Sequence, residues 1–325
     1  MEKFTMNDTT IAFIGLGLIG GSLAKGIKRA RPDIRIMAYM RTRSKLEQAK
    51  KDGIVDVILD GIDEQLKECD LIFLCTPVEY NAQYLSKIRS YLKPGALITD
   101  VGSTKTDIHE EILRQGLTDC FVGGHPMAGS EKTGYENATD HLLENAYYIV
   151  TPPEGFNQNG CGYGNISPKY SENVKRIIAV AQTVGAIPLV LDYKEHDTVV
   201  AAISHLPHLV ASSLVNLVKD SDSPAETMKQ VAAGGFKDIT RIASSSPEMW
   251  EQICMTNSEP IADMLERYID SLQDILSEIK GHQGNAIYKL FEKSRDYRNT
   301  ITDRAKGSVE PSYAFSVDNI SGALA

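Results

Sequence analysis

The stretch Gly15-Leu16-Gly17-Leu18-Ile19-Gly20-Gly21-Ser22 follows directly on the β-rich run Thr10 to Ile14 and opens a helical pattern that continues to Ala30. It is a G-x-G-x-x-G sequence, and each glycine has a mechanical reason. The first makes a tight turn, the second lets the backbone approach a pyrophosphate, and the third lets helix and strand pack closely. The helix start offers free N–H groups and the positive end of its dipole to phosphate. A strand before, a helix after and a second strand ending at Tyr39 all occur where a dinucleotide-binding unit requires them. The spacing therefore predicts a bound dinucleotide, with Gly15, Gly17, Leu18, Ile19 and Gly20 along its phosphates.

At the end of the second strand, where an Asp or Glu would take the ribose 2′-hydroxyl of NAD, the chain has Met40-Arg41-Thr42-Arg43. Guanidinium groups suit the 2′-phosphate of NADP, and they equally suit stacking on adenine or plain solvation. NAD is the expected cofactor with NADP open, and Arg41 and Thr42 are its expected contacts. Leu74-Cys75-Thr76-Pro77-Val78 stops a later strand at its carboxyl edge, where ligands bind in such sheets. That makes Thr76 and Pro77 cofactor candidates, with a structural turn as the competing reading.

Outward from this unit, short apolar runs alternate with amphipathic stretches up to about residue 192. Strands are expected at Thr10 to Ile14, Ile34 to Tyr39, Asp70 to Cys75, Ala96 to Val101, Cys120 to Gly123, Tyr147 to Val150 and Ile187 to Leu191. Helices are expected at Gly20 to Ala30, Ser44 to Asp52, Tyr80 to Leu92 and Thr106 to Gln115. The class is α/β: a Rossmann-type doubly wound sheet over residues 1–192. Pro152 to Pro168, rich in Gly, Asn and Pro, reads as a surface loop. After Asp192 the helical period takes over, at Glu195 to Lys219, Ala225 to Ser244, Pro247 to Thr256, Pro260 to Lys280 and Asn285 to Asn299. Residues 193–300 are expected to form an all-α domain, and 301–325 a tail with little period.

With 34 Lys and Arg against 43 Asp and Glu, the net charge of -9 is the wrong sign for nucleic acid or anionic lipid. A small molecule is the expected partner, and if it is an anion, individual Arg and Lys side chains must hold it. Five cysteines at 69, 75, 120, 161 and 254 include no Cys-x-x-Cys pair and read as reduced thiols. The polar start lacks a signal core, and no apolar run is expected to approach the roughly 20 residues a membrane span needs, so the cytoplasm is the expected compartment.

Polar density concentrates in four runs. Val101-Gly102-Ser103-Thr104-Lys105 and Gly123-Gly124-His125-Pro126-Met127-Ala128-Gly129-Ser130-Glu131 follow strands. Ser204-His205-Leu206-Pro207-His208 and Gly234-Gly235-Phe236-Lys237-Asp238-Ile239-Thr240-Arg241 belong to the helical part, with Trp250 nine residues on. By spacing, His205 and His208 share a helix face, but no third ligand accompanies them and Pro207 should kink the segment, so no metal is expected.

In order and spacing these runs resemble those of the prephenate dehydrogenase family, over roughly residues 9 to 300. The resemblance implies hydride transfer from prephenate to NAD(P), loss of carbon dioxide and formation of 4-hydroxyphenylpyruvate, in tyrosine biosynthesis. It implies His125 as acceptor of the substrate hydroxyl proton and Ser103 as the serine that hydrogen-bonds that histidine and the hydroxyl. Arg241 becomes the carboxylate clamp, oriented by Asp238, with Glu131 in the same charge network. Gly234, His205, His208 and Trp250 complete the substrate set, against competing readings as a helix ion pair for Asp238 and Arg241, a packed pair for the histidines and core for Trp250. Apolar stripes on helices such as Pro260 to Lys280 predict a homodimer.

Some members of the family continue into a regulatory amino-acid-binding domain. Only about 25 residues follow Asn299, too few for an independent domain, so tyrosine inhibition through one is not expected, while inhibition at the active site stays open. Arogenate dehydrogenases share the motifs, and no residue separates the two substrates. A dehydrogenase of small β-hydroxy acids would use a helical lysine and leave His125 idle. A redox sensor would bind NAD(P) without turnover.

Overall fold

The structure is a computed structural model, and it describes residues 9–129, 132–154 and 167–301. Strands β1 (Thr10–Ile14), β2 (Arg35–Tyr39), β3 (Val57–Ile58), β4 (Leu71–Leu74) and β5 (Leu97–Asp100) form a parallel sheet in the order β3-β2-β1-β4-β5. Helices α1 (Leu18–Ala30), α2 (Arg43–Lys51), α3 (Asn81–Ile88) and α4 (Thr106–Gln115) cross between them. β1 pairs with β2 on one side and β4 on the other, so the strand order reverses there and a crevice opens at their carboxyl ends. The strands read as unbroken apolar runs because both faces are covered. Phe13 stacks on Phe73 with ring centroids 4.9 Å apart in one core layer, and Ile14, Leu74 and Ile98 lie in the other.

The chain then departs from the expected single sheet. β6 (Gly123–Pro126), β7 (Tyr147–Thr151) and β8 (Ile187–Val190) form a second, three-stranded sheet in which β6 runs antiparallel to β7. An isolated bridge between Ile98 and Phe121, rather than a continuous ladder, joins it to β5. The sequence placed this strand at Cys120 to Gly123, with His125 on the loop after it. His125 instead lies inside β6, opposite Ile149. The apolar residues Phe121 and Val122 were taken for the strand, whereas the ladder falls on the glycines that follow. Glycine is required there: a Cβ on Gly124 would meet the Asp100 carbonyl oxygen at 2.7 Å and the Tyr148 hydroxyl at 2.8 Å. Gly124→Ala is expected to destabilise the fold by about 1–3 kcal/mol through overpacking against backbone, read as a lowered thermal midpoint.

α5 (Pro168–Thr183) packs under β7 and β8. The helical part begins with α6 (Tyr193–Val200), a π-helical turn over Ala201–His205 and α7 (Leu206–Ser221). The expected helix Glu195 to Lys219 is thus interrupted. Pro207 has no N–H for the carbonyl four residues back, and the wider turn, closed by Leu206 N–H to Ala201 O, absorbs the defect. The expected helix Ala225 to Ser244 is broken into α8 (Thr227–Val231), α9 (Gly234–Thr240) and a 3-10 turn at Arg241–Ser244. Paired glycines at 234 and 235 propagate a helix poorly, and Glu226 adopts φ 51° at its start. α10 (Pro247–Thr256), α11 (Ser258–Lys280) and α12 (Gly284–Arg298) follow closely where the periodicity put them.

One composition-level expectation is corrected. Thr198 to Val218 carries no Asp, Glu, Lys or Arg, and the helix Tyr193–Ser221 is long and apolar enough to cross a membrane. His205 on this helix is hydrogen-bonded to Asn257 within the protein, and 22% of the apolar window is buried in the protomer. The tail from residue 302, and most of the loop placed at Pro152 to Pro168, lie outside the described residues.

Candidate active site

The three fingerprint glycines do what their spacing predicted. Gly15 has φ 95°, and a Cβ there would strike the Cys75 carbonyl oxygen at 2.6 Å. A Cβ on Gly20 would meet Gly15 O at 2.8 Å and the Cys75 side chain at 3.0 Å, so helix and strand touch. Gly17, at the N-cap of α1, has nothing within 4 Å of its Cβ position, which leaves the helix start open to a phosphate. Leu18 and Ile19 form the first turn behind it. Across the crevice, Thr76 donates a hydrogen bond to Asn81 Oδ1 at 3.2 Å, and Pro77 caps the short turn after β4. These groups fit a dinucleotide.

At the end of β2 the two arginines separate. Arg41 lies over the Tyr80 ring, 5.1 Å from its centroid. Arg43 is committed to Asp60 and, at 3.6 Å, to Glu47. Thr42 is the exposed N-cap of α2. A cavity of about 710 Å³ opens beside them, lined by Tyr39, Arg41, Ile62, Tyr84, Lys87 and Tyr91 among others.

β6 and α6 together build the chemistry. His125 Nδ1 lies 2.8 Å from His196 Nε2, and His196 Nδ1 lies 2.7 Å from Asp197 Oδ1. Asp197 also accepts from the backbone N–H groups of Lys105 at 2.8 Å and Thr106 at 2.7 Å, so it caps α4 while holding His196. Beneath them the fully buried Lys105 ammonium pairs with Asp100 at 2.5 Å. Asp100 in turn accepts from Gly102 N–H at 2.9 Å and Gly124 N–H at 3.1 Å, tying the Ser103 segment to the His125 strand. Burial, together with His196, Lys105 and His205, holds His125 well below the ordinary imidazole range. Burial lowers His196 too, against the pull of Asp197. Both rings are neutral near pH 7.

The helical side closes over this centre. Asn257 donates to the Asp197 carbonyl at 2.9 Å and contacts His205 Nδ1 at 3.0 Å, and Thr104 and Thr256 hydroxyls meet at 3.0 Å. His205 is buried and edge-on to Trp250, and its pKa is pushed down to about 4, chiefly by burial. His208 stacks on Trp250 with centroids 3.7 Å apart and donates from Nδ1 to Ser204 O at 2.9 Å. Trp250 Nε1 is buried without a partner among the described residues. The Arg241 guanidinium is exposed and close enough to His208 to depress it alongside burial.

The fold thus links His125 through His196 to the helical side, where His205 and His208 meet Trp250 and Arg241 lies near His208. Two expectations change. The partner of His125 is His196 rather than Ser103, which is half-buried and makes no hydrogen bond among the described residues. Gly234 and Gly235 are exposed with open space around them, so no backbone approaches there. Asp238 sits near Gly234, with its Oδ2 4.0 Å from that Cβ position. Glu131 lies outside the described residues. Among the described residues no group of three or more His, Cys, Asp or Glu is placed to hold a metal ion. His196, Asp197, Asp100 and Lys105 were missed as a unit. The sequence signal was the adjacent His-Asp pair in the first turns of a helix otherwise apolar on that face.

Known proteins are similar to this chain in sequence and fold. Residues 23–160 match a family model described as the nucleotide-binding domain of prephenate dehydrogenase, and residues 192–293 one described as its dimerization domain. The chain is 36% identical to a prephenate dehydrogenase of Bacillus subtilis over 95% of this chain and 80% of that protein. It is similar to the crystal structure of prephenate dehydrogenase from Aquifex aeolicus in complex with hydroxyphenyl propionate and NAD+, with a TM-score of 0.79 and 30% identity, covering 90% of this chain and 98% of that one. The Synechocystis arogenate dehydrogenase structure gives a TM-score of 0.75 and 28% identity over 90% and 99% of the two chains.

Proposed function

The chain belongs to the prephenate dehydrogenase family, and from that premise we propose that it carries out the NAD(P)-dependent oxidative decarboxylation of prephenate to 4-hydroxyphenylpyruvate in cytoplasmic tyrosine biosynthesis. The observation that carries the mechanism is that Nε2 of His125 makes no hydrogen bond among the described residues. Its Nδ1 is taken by His196, so Nε2 is left to accept the substrate hydroxyl proton. The nicotinamide, when bound, supplies the acceptor for the hydride from the carbon bearing that hydroxyl. As the oxygen lone pair forms the carbonyl and releases that hydride, the ring carboxylate leaves as carbon dioxide, and its bonding pair flows through the ring to the oxygen and aromatises the ring.

Ser103 serves the substrate hydroxyl rather than the histidine. Arg241 binds a carboxylate, with Asp238 and Glu131 in its surroundings, while Trp250 and His208 form the wall and His205 supports it from behind. Residues 1–192 act as the dinucleotide-binding domain and 193–300 as the substrate and dimerisation domain, with 301–325 a tail. Ile269, Leu272, Leu276 and Ile279 form an exposed apolar stripe at i, i+3 and i+4 spacing on α11. Together with the largely uncovered apolar helix before Ser221, that stripe supports a homodimer.

NAD is the favoured cofactor. Asp60 and Glu47 neutralise Arg43 and place negative charge near where a 2′-phosphate would sit, leaving Arg41 to stack. Initial rates with NAD and NADP, each against prephenate and arogenate, are expected to show turnover of prephenate and at least about a tenfold preference for NAD in kcat/KM. Turnover of arogenate alone would reassign the substrate. No turnover with any pair, despite tight cofactor binding, would overturn the reading.

A further inference from the structure

We propose that the base of this enzyme is a chain of three residues, in which Asp197 and His196 fix the tautomer of His125 and His196 takes over the proton that His125 removes from the substrate. This deepens the function proposed above and rests on it.

The argument starts from the one member that can only accept. Asp197 is buried, and its carboxylate receives the backbone N–H groups of Lys105 and Thr106 and the ring of His196. An ionised carboxylate has no proton to give, so His196 carries its proton on Nδ1. Its Nε2 is then a lone pair, and the 2.8 Å contact with His125 Nδ1 requires His125 to be the donor. His125 is thereby held as the Nδ1–H tautomer, with Nε2 as its basic nitrogen. The opposite tautomer of either ring would set two lone pairs or two protons against each other at that distance.

The surroundings decide where the positive charge rests after proton transfer. The groups facing His125 are His196 and Asp197 from α6, Lys105 from the start of α4, Asp100 from β5 and His205 from the π-helical turn. An imidazolium at His125 would sit in a buried site under the influence of the Lys105 ammonium, whose own carboxylate partner is Asp100. An imidazolium at His196 sits 2.7 Å from Asp197. The substrate O–H bond breaks as an N–H bond forms at His125 Nε2. The Nδ1–H bond of His125 breaks as one forms at His196 Nε2. His125 ends neutral, His196 cationic and paired, and the proton returns by the same path to the phenolate oxygen that decarboxylation leaves, so that the product departs as the phenol. His196 and Asp197 are positioning residues in this scheme, since neither touches substrate.

The test combines kinetics with a readout that needs no turnover. In protein labelled with 15N-histidine, the His125 ring is expected to show the proton on Nδ1. In Asp197→Asn the amide can donate to His196 Nδ1, which flips both rings and moves the His125 proton to Nε2. That variant should lose about 10³- to 10⁴-fold in kcat, as expected when a carboxylate that sets an imidazole tautomer becomes an amide. His196→Gln should lose about 10²- to 10³-fold in kcat. Its KM for prephenate should stay within a factor of about three, and its acid limb should move to lower pH, because only the buried His125 is then left to carry the proton. Both variants should bind NAD as the wild type does. A wild-type His125 protonated on Nε2 overturns the proposal whatever the enzyme turns over, as does a His196→Gln enzyme with wild-type kcat and pH profile. If Asp197→Asn fails to fold, the wild-type tautomer and His196→Gln still decide. Wild-type protein that shows the tautomer but oxidises neither prephenate nor arogenate would instead sink the functional reading.

Discussion

His125→Asn is expected to lower kcat by at least about 10³-fold while leaving NAD affinity within about twofold of wild type. The substitution suits the question because an Asn amide can still donate to His196 Nε2, where His125 Nδ1 donated, so the His196–Asp197 pair stays satisfied. What vanishes is Nε2, the only nitrogen of this ring not already engaged. The position lies on β6 and not on the glycine loop, so the pyrophosphate cradle around Gly17 should be untouched. In the wild type, burial and the positive surroundings keep His125 neutral well below pH 6.5. A base must be unprotonated to act, so the kcat/KM profile should be flat from neutral pH down past 6.5 and fall only in more acid solution. Steady-state rates across pH, with cofactor binding followed by NADH fluorescence, check both parts. A variant within tenfold of wild-type kcat would remove His125 from the mechanism.

The parts of this molecule that could be read from its sequence are those governed by local rules. The glycine spacing from Gly15 to Gly20 encodes one backbone geometry, and all three positions behave as a Rossmann turn requires. Thr106 to Gln115 and Pro247 to Thr256 came out residue for residue, because amphipathic period and proline placement are properties of the segment itself. β6 failed because strand propensity argues against glycine, whereas tertiary crowding by Asp100 and Tyr148 demands it at residue 124. The π-helical turn was foreseeable only as a kink at Pro207, since whether a helix breaks, bends or widens depends on what its neighbours will hold.

The same division separates the site. His125 could be singled out as a lone polar residue among Gly and Pro. His196 and Asp197 stood out only as an adjacent pair on a helix, and their role depended on which ring reaches which acceptor across 71 residues of chain. Lys105 and Asp100 look in sequence like a surface pair near a turn, and only the fold shows both at 0% exposure. Arg43 shows the reverse error. It reads as a phosphate ligand until Asp60, 17 residues on, is brought against it.

Acid should unfold this protein through its histidines before its carboxylates, and His109 is where the effect is largest. Its ring stacks on Tyr193 with centroids 4.4 Å apart and bonds Thr151 Oγ1 from Nε2 at 2.8 Å, while Nδ1 is buried without a partner among the described residues. Burial, reinforced by Lys105, pushes its pKa down to about 3. The folded ring therefore binds its proton far more weakly than the unfolded chain does, for which the value is near 6.5. The sign follows directly. The stabilisation from keeping His109 neutral is fully present above pH 6.5, declines as pH falls from there, and is gone below about 3. At pH 5 the loss from this one residue is about 2 kcal/mol, approaching about 5 kcal/mol near pH 3. His125, His196 and His205 shift the same way and add to it. Set against a total stability of about 5–15 kcal/mol, these terms should bring the urea midpoint down steeply between pH 6.5 and 4.5. His109→Gln, which cannot titrate, should be less stable at pH 7 yet lose stability more slowly on acidification, by about one proton's worth of slope in that window. Parallel pH dependences for the two proteins would mean that His109 is not the group that makes the fold acid-sensitive.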